Sequence, residues 1–468
     1  MAPIMSKNIR FVAEIFDTET DIVSERAVLI EKEIKSPKNL MELGFTHIEQ
    51  INLLQKCQDA LLKNQADFLK PPSDKCPHCS HKLGNGSYQE SDFHSVFTDH
   101  RVKIKRLKCP NCKKYVIPSV QSLFGSVIHP DLAKMQCELS SNHSYPETTA
   151  ILTTLACGYR KINNYDRIRH DVSRVGHAME SLNIDEQIGD VIISKEEAEE
   201  LILNVDGGHV IDKNPDKRSF ETLTAIIYQP KNVVISEITN QGEITDKSCA
   251  ASALNDGQVF MKQAVLKAAQ EQGMTQNTNL TALCDGAVNC WTIVDSLEPH
   301  VSSITRILDW FHISMKFKNL ATYDATDFIE KAKWGLWHGD VDKALARLNE
   351  LLMLTKSEKE VIKIRKLITY IINNREYIVD YEDRKNNGLV FTSHMAESTV
   401  ESLINQRCKA KQHMSWTREG LHGLLQIRAA VLSTRNWAKH ATSYIFKGLN
   451  MKEDILKIAD FSRPFSNA

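Results

Sequence analysis

Two short knuckles, Cys76-Pro-His-Cys79 and Cys109-Pro-Asn-Cys112, constrain this chain more than any other feature. Each can offer two thiolates to one tetrahedral ion, and two such pairs close a four-sulfur site with bonds of about 2.3 Å. Between them lie the turn Gly84-Asn-Gly86 and the run His100 to Lys108, in which Val102, Ile104 and Leu107 mark a strand delivering Cys109. The pattern predicts a zinc ribbon over 71–120, with a structural Zn2+ on Cys76, Cys79, Cys109 and Cys112. Redox-active dithiols are the alternative chemistry for the same spacing. The chain has 11 cysteines, an odd number, and the other seven lack regular spacing, which argues against a disulfide framework.

Charge divides the chain further. The formal net charge of -1, from 58 basic and 59 acidic residues, excludes a uniformly basic or acidic protein. Locally the balance differs: residues 71–120 carry nine Lys/Arg and four Asp/Glu, a net +5, and residues 401–450 eight against two, a net +6. In the first stretch Arg101, Lys103, Lys105, Arg106 and Lys108 are placed to neutralise DNA phosphates or to form a solvated strand face. In the second, Arg407, Lys409, Lys411 and Arg428 read the same way, and Trp416 is either a stacking platform for an unpaired base or a core residue. Residues 1–16 lack a charged start followed by an apolar run, and no stretch approaches the roughly 18 apolar residues of a membrane span. A soluble, intracellular protein with no membrane partner is the expectation.

Ser144-Tyr-Pro-Glu147 has a hydroxyl at an N-cap, proline in the first turn and glutamate three residues on, so it opens a helix that Gly158 stops. Beyond it Ile162, Tyr165, Ile168, Val172, Val175 and Met179 recur at helical intervals and leave Arg160, Lys161, Arg167 and Arg169 on other faces. This predicts a helix-turn-helix over 130–185 with a basic second helix, although an ordinary helical hairpin has the same pattern.

From residue 199 the texture becomes β-rich. Leu201 to Asp206, Phe220 to Gln229 and Asn232 to Thr239 predict three antiparallel strands, followed by a helix, the strand Leu280 to Asp285, another helix, and the strand Ile304 to Asp309. That is the element order of a ribonuclease H-like core. Asp206 and Asp285 each end an apolar strand and precede glycine, an arrangement suited to metal ions. A third carboxylate is expected on a later helix, at Glu397 or, one turn on, at Glu401. The 112 residues from Asp285 to Glu397 exceed what one strand and one helix need, and helical periodicity over 322–385 predicts an all-helical insertion. Three such carboxylates can hold two Mg2+ (or Mn2+) ions for in-line phosphodiester displacement, with His312 either assisting a proton transfer or serving as an ordinary core or surface histidine.

Asp206-Gly207, Asp285-Gly-Ala-Val-Asn-Cys-Trp291, Asp309-Trp-Phe-His312, Glu397-Ser398 and Arg407-Cys-Lys409, with Met414-Ser-Trp416, Gly420 and Leu425-Gln-Ile-Arg428, form a larger pattern. It resembles bacterial insertion-sequence DDE transposases of the mutator-like, Kra-type group over roughly residues 70–440. The resemblance implies that Asp206, Asp285 and Glu397 are the catalytic, metal-binding triad, with Asp309 and His312 beside it. It implies a homo-oligomer working on double-stranded DNA, both element ends and target, that cleaves and then transfers 3′ ends. Members of that group carry Gly-Ser-Gly ahead of the glutamate, where this chain has Ser393-His394-Met395. The alternatives are a ribonuclease H-like nuclease or resolvase without strand transfer, and an inactive zinc-dependent DNA-binding protein.

The fold class expected is thus α+β and multidomain. It comprises an N-terminal helical region (1–70), the zinc ribbon, the helix-turn-helix, the core in two parts (199–321 and 386–445) around the insertion, and a C-terminal tail (446–468).

Overall fold

The computed structural model describes residues 7–71, 73–184, 196–235, 242–320, 326–393, 401–409, 414–434 and 436–452. It is a mixed α and β, multidomain structure that divides into two units, Met1–Arg174 with Thr442–Ala468, and Val175–Ala441. The division falls inside the helix Tyr165–Ile184. The reason is local: Gly176 lies so close to Gly423, within the second unit, that a Cβ on it would come 2.0 Å from the Gly423 carbonyl oxygen.

The first unit opens with the antiparallel strands β1 (Lys7–Phe16) and β2 (Val23–Ile34), and only then the helix His47–Gln65. The expectation of a wholly helical 1–70 is corrected. Ile9, Phe11, Ala13 and Ile15 recur at the two-residue period of a strand, with Arg10 and Glu14 among the residues between them, and Phe11 pairs with Ile30 and Ala13 with Ala27. Next come β3 (Gly84–His94), β4 (Asp99–Lys108) and β5 (Tyr115–Val116), a three-stranded antiparallel sheet. Val102 and Ile104 of β4 are buried in a small core with Ala66 and Val120, and the alternating positions Arg101 and Lys103 are exposed. The helices Pro130–Asn142, Tyr145–Leu155 and Tyr165–Ile184 follow. Ser144 caps the second through a reciprocal pair of bonds with Glu147, and Cys157, at φ +53°, turns the chain out of it.

The second unit is organised by a sheet in the order β10-β7-β6-β11-β12. Its strands are β6 (Glu200–Asp212), β7 (Ser219–Tyr228), β10 (Lys247–Ser252), β11 (Asn279–Cys284) and β12 (Ser303–Leu308). β7 is antiparallel to both β6 and β10, while β11 is parallel to both β6 and β12. The expected third strand at 232–239 is corrected. Val233–Ile235 (β8) pairs instead with Gly242–Ile244 (β9) in a separate two-stranded sheet, and β10 fills the sheet position. On one face Leu201, Leu203 and Val205 pack against the helices Val259–Glu271 and Val288–Asp295 in the main core. The helix Arg418–Leu432 lies along β10, where Gln426 donates to the Ala251 carbonyl at 2.9 Å.

Beyond β12 the helix Trp310–Lys318 leads to Thr326–Trp337, Val341–Leu354, Glu358–Asn373 and Tyr381–Asn386. This helical stretch is fastened to the sheet by two tyrosine hydroxyls. Tyr370 donates to the Asp285 carbonyl and Tyr381 to the Leu308 carbonyl, each at 2.7 Å. A π-helical segment, Glu401–Lys409, precedes β13 (Ser415–Trp416), which extends β6 in parallel. No described helix is long and apolar enough to cross a membrane.

Candidate functional site

Strand pairing sets three aspartates side by side. Cys284 of β11 lies opposite Val205 of β6 and opposite Leu308 of β12, so the next residue along each is Asp285, Asp206 or Asp309. Neighbouring strands stand about 4.8 Å apart, so the three carboxylates share one edge of the sheet. Asp206 accepts the Gly207 N–H at 2.8 Å, and Asp285 accepts the Ala287 N–H at 2.9 Å across a turn with Gly286 at φ +93°. Glu221 lies over Gly207: a Cβ there would sit 3.0 Å from its Oε1. On the next residue, Gly208, a Cβ would lie 3.4 Å from Lys409 Nζ, so this ammonium stands close to the acidic edge.

Asp309 differs from the other two. It is 1 % exposed and already accepts three donors: Phe311 N–H at 3.0 Å, Ser393 N–H at 2.9 Å and the Ser393 hydroxyl. His312, in the helix that Asp309 caps, holds Nε2 3.6 Å from Asp309 and 4.0 Å from Asp206. Burial pushes the Asp206 carboxyl above its ordinary value; His312 opposes this, while the Asp285 and Asp309 charges add to it. The structure thus brings Asp206, Asp285 and His312 together. Glu397 and Lys411 lie outside the described residues, as does the Glu401 side chain. Asp309 and Ser393 form the contact that composition alone does not reveal, because it joins residues 84 positions apart.

The cysteines form a second site, in the first unit. The sulfurs of Cys76, Cys79, Cys109 and Cys112 all lie within 4.8 Å of one another, with Cys76 to Cys112 at 3.6 Å and Cys79 to Cys109 at 3.4 Å. A tetrahedron with bonds of about 2.3 Å has edges near 3.8 Å, so this set can hold a structural zinc ion. The knuckles are alike. Ser80 N–H donates to the Cys76 carbonyl and Lys113 N–H to the Cys109 carbonyl, each turning at φ near +60° (+59° and +62°). The His81 N–H draws the Cys79 thiol down to about 5.

The basic residues separate into two groups. Arg101, Lys103, Lys108, Lys161, Arg167 and Arg169 are exposed, and Lys105 and Arg106 half-buried, with Arg106 and Lys108 flanking the Tyr115 ring at 5.3 and 5.4 Å. Arg167 pairs with Asp171 and Arg169 with Asp166, at 2.9 and 3.0 Å.

Arg160, Arg407 and Arg428 are corrected as phosphate contacts, because all three are buried. Arg160 bonds to Asp99 and to the carbonyls of Ser95, Val96 and Thr98. Arg428 donates to the carbonyls of Leu403 and Ser402 beneath the π-helical segment, and burial lowers its guanidinium to about 10. Arg407 stacks on Trp416 at 5.2 Å and reaches Met414, and the Trp416 indole donates to the Cys408 carbonyl at 3.2 Å. Trp416 is therefore packed between β6 and the π-helical segment rather than offered to a base.

Comparison with known proteins adds a partial match. A family model described as an uncharacterised protein family, UPF0236, matches residues 275–443, a span that includes Asp285, Asp309 and His312 and omits Asp206. The chain is also similar to a UPF0236 protein of Caldanaerobacter subterraneus subsp. tengcongensis, 26% identical over 161 residues. That match spans 32% of this chain and 33% of the relative. The resemblance to insertion-sequence transposases is corrected by these findings: both matches carry the UPF0236 name, and neither is described as a transposase.

Proposed function

We propose that the protein is a divalent-metal-dependent enzyme that cleaves DNA phosphodiester bonds, with a ribonuclease H-like core and two DNA-binding modules. The observation that carries this reading is the lateral alignment of Asp206 and Asp285 on adjacent parallel strands, with His312 facing them. The strand order β10-β7-β6-β11-β12, antiparallel on one side of β6 and parallel on the other, supports the choice of core. A purely oxygen donor set suits Mg2+ or Mn2+ rather than softer metals. When bound, a pair of such ions supplies activation of the attacking water and stabilisation of the leaving oxygen.

In this reading Asp206 and Asp285 are ligands and Glu397 is the third. Ser393, fixed on Asp309, is four residues from Glu397, and the covalent reach of four residues is at most about 14 Å. Asp309, buried and accepting three donors, orients Ser393 and His312 instead of binding metal. His312 places Nε2 4.0 Å from Asp206, and Lys409 offsets the negative edge. The zinc ribbon contributes Arg101, Lys103, Lys105, Arg106 and Lys108 to phosphate contact. The helix pair Tyr145–Leu155 and Tyr165–Ile184, read as a helix-turn-helix, contributes Lys161, Arg167 and Arg169. The substrate is then nucleoid DNA.

The test uses the full chain with supercoiled plasmid and end-labelled duplex, in Mg2+, Mn2+ or EDTA. Nicked or linear product is expected only with metal, and is expected to vanish in Asp206→Asn and Asp285→Asn. Products longer than the labelled strand would add strand joining to cleavage. Cleavage that persists in both variants, or DNA binding without cleavage under any metal condition, refutes the proposal; the latter outcome leaves a zinc-dependent DNA-binding protein.

A further inference from the structure

Beside Asp285 a cleft of about 490 Å³ lies between the helices Val288–Asp295 and Glu358–Asn373. One wall is aromatic, with the Trp291 and Tyr377 rings 4.2 Å apart and tilted by 33°. The other wall presents Lys366, Thr369 and Asn373, which helical spacing places on one face of the longer helix. Asp295 at the rim is paired with Arg306 at 2.8 Å, so its charge is already balanced. Lys366 remains to set the sign of the cleft, and Lys316, with its ammonium 4.1 Å over the Tyr370 ring, adds a second cation nearby. Buried Trp291 leaves its indole N–H without an acceptor among the described residues.

An aromatic wall whose accessible ring is the half-buried Tyr377, backed by buried Trp291, amide and hydroxyl groups opposite it, and a cation at the mouth are the complement of a base, a sugar and a phosphate. The volume falls in the range of sites for molecules of nucleotide size. A paired base is stacked on both faces within its duplex and cannot enter such a cleft, whereas an unpaired one can stack on an aromatic side chain. Tyr370 ties the cleft to the acidic edge, since it lines the cleft and its hydroxyl holds the Asp285 carbonyl at 2.7 Å. We propose that this cleft binds one unpaired nucleotide of the DNA strand engaged at Asp206 and Asp285. The proposal rests on the reading of those aspartates as the cleavage site, and it makes the protein selective for frayed, single-stranded or overhanging DNA.

The experiment measures binding without cleavage, by fluorescence anisotropy of the full chain in Ca2+. Two probes are used: a labelled duplex with a short 3′ overhang, and the same duplex blunt-ended. Thr369→Trp fills the cleft from an exposed helix position, and Lys366→Glu inverts its charge. Loss of one stacked base corresponds to a weakening between about fivefold and 150-fold, expected for the overhang probe in both variants, with the blunt duplex unchanged. Equal affinity for the two probes in the wild type, or equal losses on both probes in the variants, overturns the proposal. Free dAMP that displaces the overhang probe as strongly as a short single strand does would assign the cleft to mononucleotides and likewise overturn it. Cleft-dependent overhang binding with no metal-dependent cleavage would sink the cleavage reading and leave the nucleotide site standing; cleavage that is normal in wild type with no overhang preference would do the reverse.

Discussion

Replacing Asp206 by Asn should stabilise the metal-free protein while removing its stabilisation by Mg2+. Asp206 and Asp285 occupy one register of adjacent parallel strands, which separates two negative charges by about 5 Å. At an effective dielectric of about 20 their repulsion is roughly 3 kcal/mol. A charged His312, 4.0 Å from Asp206, would offset this repulsion at the same dielectric, so the gain from the substitution comes from burial of the carboxylate and is on the order of 1–2 kcal/mol. For a unit of this size about 1 kcal/mol moves Tm by roughly 2–4 °C, so the variant should melt roughly 2–8 °C higher in EDTA. The sign with pH follows from burial and the neighbouring aspartates, which raise the Asp206 carboxyl. Its contribution to stability is fully present below the unfolded carboxyl value near 4 and is lost as pH rises through the folded one, so the variant's advantage should appear at neutral pH and fade in acid. Magnesium bound as proposed should reverse the order: at 100 times its Kd it would add about 2.7 kcal/mol to the wild type and little to the variant. Differential scanning calorimetry of both proteins, in EDTA and in Mg2+ across the acid to neutral range, measures all of this. A variant that melts below wild type in EDTA at neutral pH, or that gains as much from Mg2+, refutes the argument.

Arg160→Ala should cost about 2–4 kcal/mol, because three backbone carbonyls lose a charged donor, while the salt dependence of DNA binding stays the same; chemical denaturation and a salt titration separate these. Burial works to raise Asp99, but the His94 and Arg160 hydrogen bonds outweigh it and hold that carboxyl well below its usual range. The Asp99 contribution is therefore present above about pH 4 and lost on acidification, and the Arg160→Ala protein should show a flatter acid limb. Cys79→Ser combined with Cys112→Ser should reduce bound zinc from one per chain to none by elemental analysis, and a chelator should lower the wild-type melting temperature but not the variant's. Gly176→Ala places a Cβ 2.0 Å from the Gly423 carbonyl oxygen and should destabilise by about 1–3 kcal/mol or more, read by urea denaturation; a neutral result would mean the two backbones do not touch.

What the sequence makes legible here is local. The knuckles announce themselves by spacing, and the runs Leu201 to Val205 and Leu280 to Cys284 are mostly apolar up to the aspartate that follows each, although β6 continues past Asp206 to Asp212. The third strand of the sheet was not legible because Lys247–Ser252 contains Cys249, Ala250, Ala251 and serines, with no β-branched or aromatic residue. Its small side chains suit the close approach of the helix Arg418–Leu432, a reason found on a partner more than 150 positions away. The neighbouring β8, rich in valine, carried the stronger strand signal and formed a strand in a different sheet. Arg160, Arg407 and Arg428 misled for a related reason: residue type speaks for the surface, whereas carbonyls and rings supplied by distant chain segments make burial affordable. The two-residue rhythm of Ile9 to Ile15 was present in the sequence but short, and the longer helix after it dominated the expectation for that region.

The two tyrosine hydroxyls on the sheet bear on how chains of this type can change length over evolution. Tyr370 and Tyr381 reach the carbonyls of Asp285 and Leu308 from helices whose phase is fixed by residue count. One residue gained or lost within Glu358–Asn373 ahead of Tyr370 would turn its hydroxyl by about 100°, and one lost from the short link 374–380 would pull Tyr381 off its carbonyl. Insertions and deletions among relatives should therefore collect at the exposed turn 355–357, ahead of the helix that carries Tyr370, and should be absent from 370–381. The same reasoning limits protein engineering: a shortened second unit made by looping out 326–386 would release both strand ends at once, so trimming has to stop short of these two side chains.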